Sequence, residues 1–239
     1  MIVGLIISAG NQSRFKSEIP KSLMPVGDRP LLQINIDRMS KFCDKVMVVC
    51  SFANEHFFTD EILGDAQKIV IESGKGSGDA VWKALNQIAV SIEDTCYIQW
   101  GDCLQDDVVY SRIKDNYSGE MVIPCTREKS PYVQIIPVEN DCVRVHFSKF
   151  NEPITEGYHD LSVFYGNAML LKNKLSEFSR KITDENGNYV HKHKNEMEFL
   201  DVFNETNIKA KVVEITNYND FSFNTLEQYA DNLAKLLKK

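Results

Sequence analysis

What is missing from this 239-residue chain narrows its chemistry first. It has no block of Lys and Arg. Its 27 basic residues against 34 acidic ones leave a formal net charge of −7, whereas a nucleic-acid binder needs massed cations to neutralise phosphates. No apolar stretch approaches the ~20 residues of a bilayer span, so no membrane partner is expected. Met1 opens directly onto an apolar strand, without the basic, apolar and small-residue regions of a secretory leader. The six cysteines (Cys43, Cys50, Cys96, Cys103, Cys125 and Cys142) are scattered, with no CxxC pair and no zinc spacing. Several fall in strand-like runs, as small core residues do, and a reducing cytoplasm is the expected compartment. No GxGxxG follows the first apolar run, and neither GxSxG nor GxxxxGK[ST] occurs. A dinucleotide site, a hydrolase elbow and a P-loop are thereby disfavoured.

What is present alternates strand and helix through the first half. Ile2–Ser8, Lys45–Cys50, Lys68–Ile71 and Thr95–Trp100 read as strands. Pro30–Phe42, Phe58–Leu63 and Ser77–Val90 read as helices, the last with Ala80, Val81, Ala84, Leu85 and Ile88 on one face. Such alternation predicts an α/β fold: a Rossmann-like, open, mostly parallel but mixed sheet flanked by helices. Ligands bind such sheets beyond the carboxyl ends of the strands, so Ser8, Ser73 and Asp102 are expected on one edge. The second half has short β-like runs at Met121–Pro124, Tyr132–Pro137, Val143–Phe147 and Leu161–Leu171, predicting a small β-rich extension over the site. A helix is predicted over Glu196–Asn204, a strand over Lys211–Ile215, and a closing helix over Leu226–Leu237 capped by Asn224 or Thr225. With 43% hydrophobic residues and no repeat or linker, residues 1–239 are expected to form a single domain. Its parts are a nucleotide-binding half (1–110), an acceptor-side half (111–215), and a metal-ligand loop with closing helix (216–239).

The first strand ends in Ser8-Ala9-Gly10-Asn11-Gln12-Ser13-Arg14, followed by Pro20-Lys21-Ser22-Leu23-Met24-Pro25. A small-residue turn lets backbone N–H groups face a phosphate chain, and Arg14 and Lys21 add two cations beside it. That combination suits a triphosphate, and suits still better the charge that builds as one phosphoryl bond is exchanged for another.

This segment, continuing through Gly27-Asp28-Arg29-Pro30-Leu31-Leu32, resembles the signature of the nucleotidyltransferase (nucleoside-diphosphate-sugar pyrophosphorylase) family. It departs from that signature at Ser8 and at Asn11-Gln12-Ser13, where the family carries Ala and a Gly-containing turn. The chain resembles the uridylyltransferase domain of UDP-N-acetylglucosamine pyrophosphorylase without the hexapeptide β-helix repeats that follow there. Glu72-Ser73-Gly74-Lys75-Gly76-Ser77-Gly78 resembles the family's base-cupping loop. Gly101-Asp102 resembles the strand end whose Asp binds Mg²⁺, and Phe223-Asn224-Thr225 the element that completes the metal site. Asn224 is the candidate second ligand and Asp220 its competitor.

The resemblance implies a Mg²⁺-dependent transfer of a nucleoside monophosphate from a triphosphate, CTP or UTP by preference, to a small phosphorylated acceptor, with release of pyrophosphate. The acceptor is a sugar 1-phosphate for a capsule or surface glycan, or alternatively a phosphorylated amine or amino acid such as phosphocholine. Arg14 and Lys21 are the implied catalytic residues. Ser8, Ala9, Gly10, Asn11, Gln12, Ser13, Glu72, Ser73, Gly76, Ser77 and Asp102 form the implied nucleotide site.

Glu196 and Asp201 match a segment framing the acceptor, and Lys149 loosely matches one contacting its phosphate. Tyr165-Gly166-Asn167-Ala168 stands, in altered order, where the family reads its acceptor. His191 and His193, in a Lys- and Asn-rich stretch without a third ligand, are read as a solvated loop rather than a metal pair. Two other classes compete, a glycosyltransferase of related architecture and a non-catalytic nucleotide sensor. The first needs an Asp-x-Asp, and this chain has Asp102-Cys103-Leu104. No nucleic-acid partner is expected, and a homo-oligomer is left open.

Overall fold

Four apolar runs form the parallel half of one sheet in the computed structural model, which describes residues 1–10, 15, 17–72, 74–148, 155–191 and 195–236. Strands Ile2–Ile7, Lys45–Ser51, Gln67–Ile71 and Thr95–Trp100 lie in the spatial order third, second, first, fourth. Ile7 is in register with Val49 on one side and Trp100 on the other. The central three strands are almost wholly buried because helices cover both faces, which is why they read as continuous apolar runs rather than alternating ones. Helices Ser77–Gln87 and Ala168–Ile182 bury Ala80, Val81, Ala84, Leu85, Leu171, Leu175 and Phe178 on one face. Helices Leu31–Met39 and Asp107–Asp115 bury Leu32, Ile36, Met39, Val109 and Ile113 on the other.

Beyond Thr95–Trp100 the pairing turns antiparallel. Val163–Asn167 lies against it, then Met121–Lys129, Glu156–Asp160, Val133–Pro137 and Val143–Phe147. Ala210–Glu214 joins Met121–Lys129 in parallel, completing ten strands. The fold is thus the α/β, Rossmann-like mixed sheet with a β-rich extension that the strand–helix alternation predicts. No helix among the described residues is long and apolar enough to cross a membrane.

Two predicted elements are corrected. Leu161–Leu171 is not one β-run: a strand ends at Asn167, whose side-chain Oδ1 accepts from Leu170 N at 2.7 Å and starts a 15-residue helix. The apolar stripe Ala168, Leu171, Leu175, Phe178, Ile182 is its core face. The helix expected over Glu196–Asn204 is confined to Asp201–Glu205. Residues before it cannot wind because Met197 N donates to Lys75 O and Met197 O accepts from Gly78 N, tying them to another loop.

The outer strand Val143–Phe147 has a free side, and a side chain covers it. Val145 N donates to Asn204 Oδ1 and Asn204 Nδ2 donates to Val145 O, both at 2.9 Å, so the amide mimics a neighbouring strand. Asn204→Ala removes both bonds at a partly solvated edge. Chemical denaturation should show a loss of about 1–2 kcal/mol.

Candidate active site

Strand order reverses between Ile2–Ile7 and Thr95–Trp100, and the crevice at such a reversal is where open α/β sheets hold ligands. Gly101 N donates to Ile7 O at 2.9 Å, so Ser8 and Gly101-Asp102 leave the sheet side by side. A Cβ on Gly101 would stand 2.3 Å from Ser8 Oγ and 3.0 Å from Ile7 O, so glycine is required there by space. Ala9 is buried and Gly10 exposed beyond it. Asn11, Gln12, Ser13 and Arg14 lie outside the described residues.

Lys21 enters from a single 3₁₀ turn, Lys21–Leu23, started by Pro20. Its side chain is 9% exposed, with Nζ 3.0 Å from Asp102 Oδ2 and 3.3 Å from the Phe223 carbonyl. The Phe15 and Phe223 rings lie 5.9 and 6.0 Å from the ammonium. Both rings belong to a separate apolar cluster with Val26, Leu31, Leu104 and Phe221, which fixes the direction of the lysine. A desolvated ammonium needs this kind of enclosure by a carboxylate, a carbonyl and ring faces. Three stretches distant in sequence therefore meet at one ammonium. Sequence reasoning predicts Lys21 and Asp102 but not the two rings, which only the tertiary fold brings to the lysine. The hydroxyls of Ser8 and Ser22 are buried at the same spot without hydrogen-bond partners among the described residues.

These residues floor a cleft of about 1220 Å³ that also takes in Gly74, Gly76, Ser77, Asn224, Glu196 and Asp201. Gly76 has φ +109° and ψ 166°, a region essentially closed to other residues. Its added Cβ would sit 2.4 Å from Met197 O. The loop is clamped to the segment before helix Asp201–Glu205: Ser77 Oγ donates to Glu198 Oε2 at 2.8 Å and accepts from Phe199 N at 2.9 Å. Beneath it, buried Asp79 accepts from Lys75 N and Tyr189 O–H and pairs with Lys83.

Several expectations need correction or fall outside what the structure describes. Glu72 is exposed and does not line the cleft among the described residues. Lys75 Nζ lies over the Tyr189 ring, 5.8 Å away. Ser73 and Lys149 lie outside the described residues. Tyr165–Ala168 is at the wrong end of its strand, since Asn167 is in register with Thr95, where the neighbouring strand begins. The stretch that lines the cleft is Asp160 with Ser162, at the opposite end. Asp160 is 5% exposed and accepts from Ser162 N at 2.9 Å, and burial pushes its carboxyl above the usual range. Its signal in the sequence was weak, a lone Asp between two β-like runs.

His191 is not part of a solvated loop. Its side chain is 6% exposed, with Nδ1 3.6 Å from Asp201 Oδ2 and Nε2 3.5 Å from Glu205 Oε1. His193 lies outside the described residues. Burial raises the Asp201 carboxyl, opposed by the nearby imidazole. Glu196 is exposed on the cleft wall.

Of the two capping candidates, Thr225 caps the closing helix: its Oγ1 accepts from Gln228 N at 3.2 Å. Asn224 is left to line the cleft, as Asp220 among the described residues does not. Asp102 and Asn224 line the same cleft and offer two hard oxygens to it. That fits Mg²⁺, which takes one or two protein ligands and completes its shell with waters and phosphate oxygens. No group of three or more His, Cys, Asp or Glu gathers for a metal among the described residues.

Comparison with known proteins agrees with this fold. A 2-C-methyl-D-erythritol 4-phosphate cytidylyltransferase from Lachnospira eligens is 28% identical over 116 residues, covering 46% of this chain and half of that relative. In structure, the chain resembles a Bacillus anthracis protein described as a glucose-1-phosphate thymidylyltransferase (TM-score 0.75, 13% identity, 98% of this chain and 95% of that one). It also resembles the CTP:phosphocholine cytidylyltransferase of Streptococcus pneumoniae (TM-score 0.69, 12% identity, 98% and 99%). At these identities the structural likenesses speak for the fold. The description of the MobA-like NTP transferase domain matches residues 4–159, about two thirds of the sequence, so the chain belongs to that family and is a nucleotidyltransferase.

Proposed function

We propose that the protein moves a nucleoside monophosphate from CTP or UTP to a small phosphorylated acceptor, releasing pyrophosphate, and that it uses Mg²⁺. The observation that carries this reading is the Lys21–Asp102 pair, 3.0 Å apart at the reversal of strand order. An acceptor phosphate oxygen attacks the α-phosphorus in line. A new P–O–P bridge forms, the bond to the β-phosphate breaks, and pyrophosphate departs. A phosphate monoester is nucleophilic enough at neutral pH that no strong base is required. The protein's work is placement and charge compensation.

Lys21, held nearly buried, meets the α-phosphoryl group. Ser8, Ala9 and Gly10 supply the turn for the phosphates, and Arg14 and Asn11–Ser13, which lie outside the described residues, are assigned to the same phosphates from the sequence alone. Gly76 and Ser77 hold the nucleoside, and Glu196 and Asp201 face the acceptor. Asp102 and Asn224 would hold Mg²⁺, which supplies charge neutralisation across the phosphates. Asn224→Ala should therefore raise the Mg²⁺ concentration for half-maximal rate at least about tenfold, the scale seen when a metal site loses a supporting group. Steady-state rates at graded Mg²⁺ check this.

A capsule or surface-glycan precursor made in the cytoplasm is the setting this chemistry suits. The deciding experiment is pyrophosphate release from each of the four triphosphates against sugar, choline and amino-acid phosphates. Pyrophosphate formed only with a phosphorylated acceptor supports the reading. Release of a nucleoside diphosphate would favour a glycosyltransferase, and tight nucleotide binding without turnover would favour a sensor.

A further inference from the structure

Asp102 and Asn224 reach the cleft on two short strands that form a sheet of their own. Cys103–Gln105 pairs antiparallel with Asp220–Ser222, and Cys103 is in register with Ser222. Asp102 precedes the first strand by one residue and Asn224 follows the second by two, so both stand at the same end of the ribbon. How the ribbon lies therefore sets how their oxygens face one another. A two-stranded ribbon this short has little hold on its own direction. Leu104 and Phe221 bury one face in the cluster with Phe15, Val26 and Leu31, but apolar contact of that kind is non-directional.

Direction comes from one carbonyl. Cys103 O accepts from Asn35 Nδ2 at 2.8 Å and from Gln99 Nε2 at 3.0 Å, so two buried side-chain amides take its two lone pairs. Gln99 is held in turn, since its Oε1 accepts from the Tyr110 hydroxyl. Asn35 lies on helix Leu31–Met39, Gln99 on strand Thr95–Trp100 and Tyr110 on helix Asp107–Asp115. Three elements thus converge on the residue that follows Asp102. Asn35 carries the case furthest. It is 0% exposed, on a helix stripe otherwise made of Leu31, Leu32, Ile36 and Met39. Its own Oδ1 is buried without a hydrogen-bond partner among the described residues. An orphaned buried carbonyl costs about as much as one hydrogen bond returns, so stability gives no reason to prefer an amide to a leucine here. The position it imposes on Cys103 does.

We propose that Asn35 and Gln99 are positioning residues for the cation site, holding Asp102 and Asn224 in place for one divalent ion through the Cys103 carbonyl. The inference rests on the reading of those two residues as Mg²⁺ ligands and adds the side chains that aim them. Neither Asn35 nor Gln99 lines the cleft among the described residues, so their effect passes through the backbone between Cys103 and Asp102.

The test is Mn²⁺ binding by the full chain with a non-hydrolysable analogue of CTP or UTP, beside a Mg²⁺ titration of pyrophosphate release. Electron paramagnetic resonance reads free Mn²⁺, and uptake is counted beyond that of the nucleotide alone. Asn35→Leu, which is close to isosteric, should raise both the Mn²⁺ dissociation constant and the Mg²⁺ concentration for half-maximal rate about tenfold, the scale seen when a metal site loses its outer support. The rate deficit should shrink as Mg²⁺ is raised. The unfolding midpoint should stay close to the parent's, because one bond and one orphaned carbonyl disappear together. Asn204→Ala, which weakens the fold at the far sheet edge, should leave the Mn²⁺ constant unaltered. If Asn35→Leu does not fold, Tyr110→Phe reaches the same carbonyl by releasing Gln99, with a rise of roughly threefold expected for one hydrogen bond at one remove. A folded Asn35→Leu, or in its place a folded Tyr110→Phe, with the parental Mn²⁺ constant would overturn the inference and leave the transferase reading standing. So would an Asn204→Ala that loses Mn²⁺ affinity as much. A parent protein with no Mn²⁺ uptake beyond the nucleotide's own and no Mg²⁺ dependence would overturn the cation site and this inference together.

Discussion

Lys21→Ala is expected to lower kcat by about 10²–10³ while the triphosphate KM changes little, because the ammonium's work is done on charge that develops in the transition state. The folded structure explains why the loss should be catalytic rather than structural. Asp102, left without its partner, is 36% exposed and can be hydrated, so the ion pair contributes little to stability. The Phe15 and Phe223 rings belong to a cluster anchored by Leu31, Leu104 and Phe221, which does not depend on the lysine. Lys21→Met separates the two effects, since it keeps most of the buried stem and removes only the charge. It should show the same fall in kcat with an unfolding midpoint close to the parent's. If either variant turned over at the parental rate, the lysine would be no more than a strut for the Asp102 turn.

Gly76→Ala should have the largest effect on stability. The residue's φ of +109° with ψ 166° lies in a region that costs an alanine about 1–3 kcal/mol. Its methyl would sit 2.4 Å from the Met197 carbonyl, a backbone group that cannot swing aside as a flexible side chain can. Displacing that carbonyl also strains the bonds Gly78 N to Met197 O, Met197 N to Lys75 O and Phe199 N to Ser77 Oγ. A total near 3 kcal/mol follows, lowering Tm by about 6–12 °C for a chain of this size. Because the same bonds join the loop proposed to hold the nucleoside to the segment proposed to face the acceptor, KM should rise for both substrates. A rise for one alone would mean that the two sides move separately.

Much of the fold was legible because its signals are local. The runs Ile2–Ile7, Lys45–Ser51 and Thr95–Trp100 are buried on both faces and therefore apolar throughout, and the structure agrees with their expected bounds to within a residue. Ala168–Ile182 was hidden because its first residues extend the apolar run of the preceding strand. The capping Asn167 and the stripe from Ala168 to Ile182 were the available signals. Glu196–Asn204 has helical periodicity, but tertiary hydrogen bonds to Met197 override it.

The site divides in the same way. Pro20-Lys21 and Gly101-Asp102 are short patterns legible in the sequence, and the structure brings Lys21 and Asp102 to 3.0 Å of each other. Glu72 looked equivalent yet faces solvent. Asp160 comes to the cleft because the strand Glu156–Asp160 ends there and Ser162, at φ +60°, starts the next one. A left-handed serine of that kind leaves no mark in composition or periodicity.

The central claim is that the triphosphate lies across the ends of the first and fourth parallel strands. A crystal structure with Mg²⁺ and a non-hydrolysable triphosphate tests it most directly. The account predicts Lys21 Nζ within hydrogen-bond distance of an α-phosphoryl oxygen and a cation shared by Asp102, Asn224 and the phosphates. A nucleotide bound elsewhere, or one whose phosphates point away from Lys21 and Asp102, would contradict it.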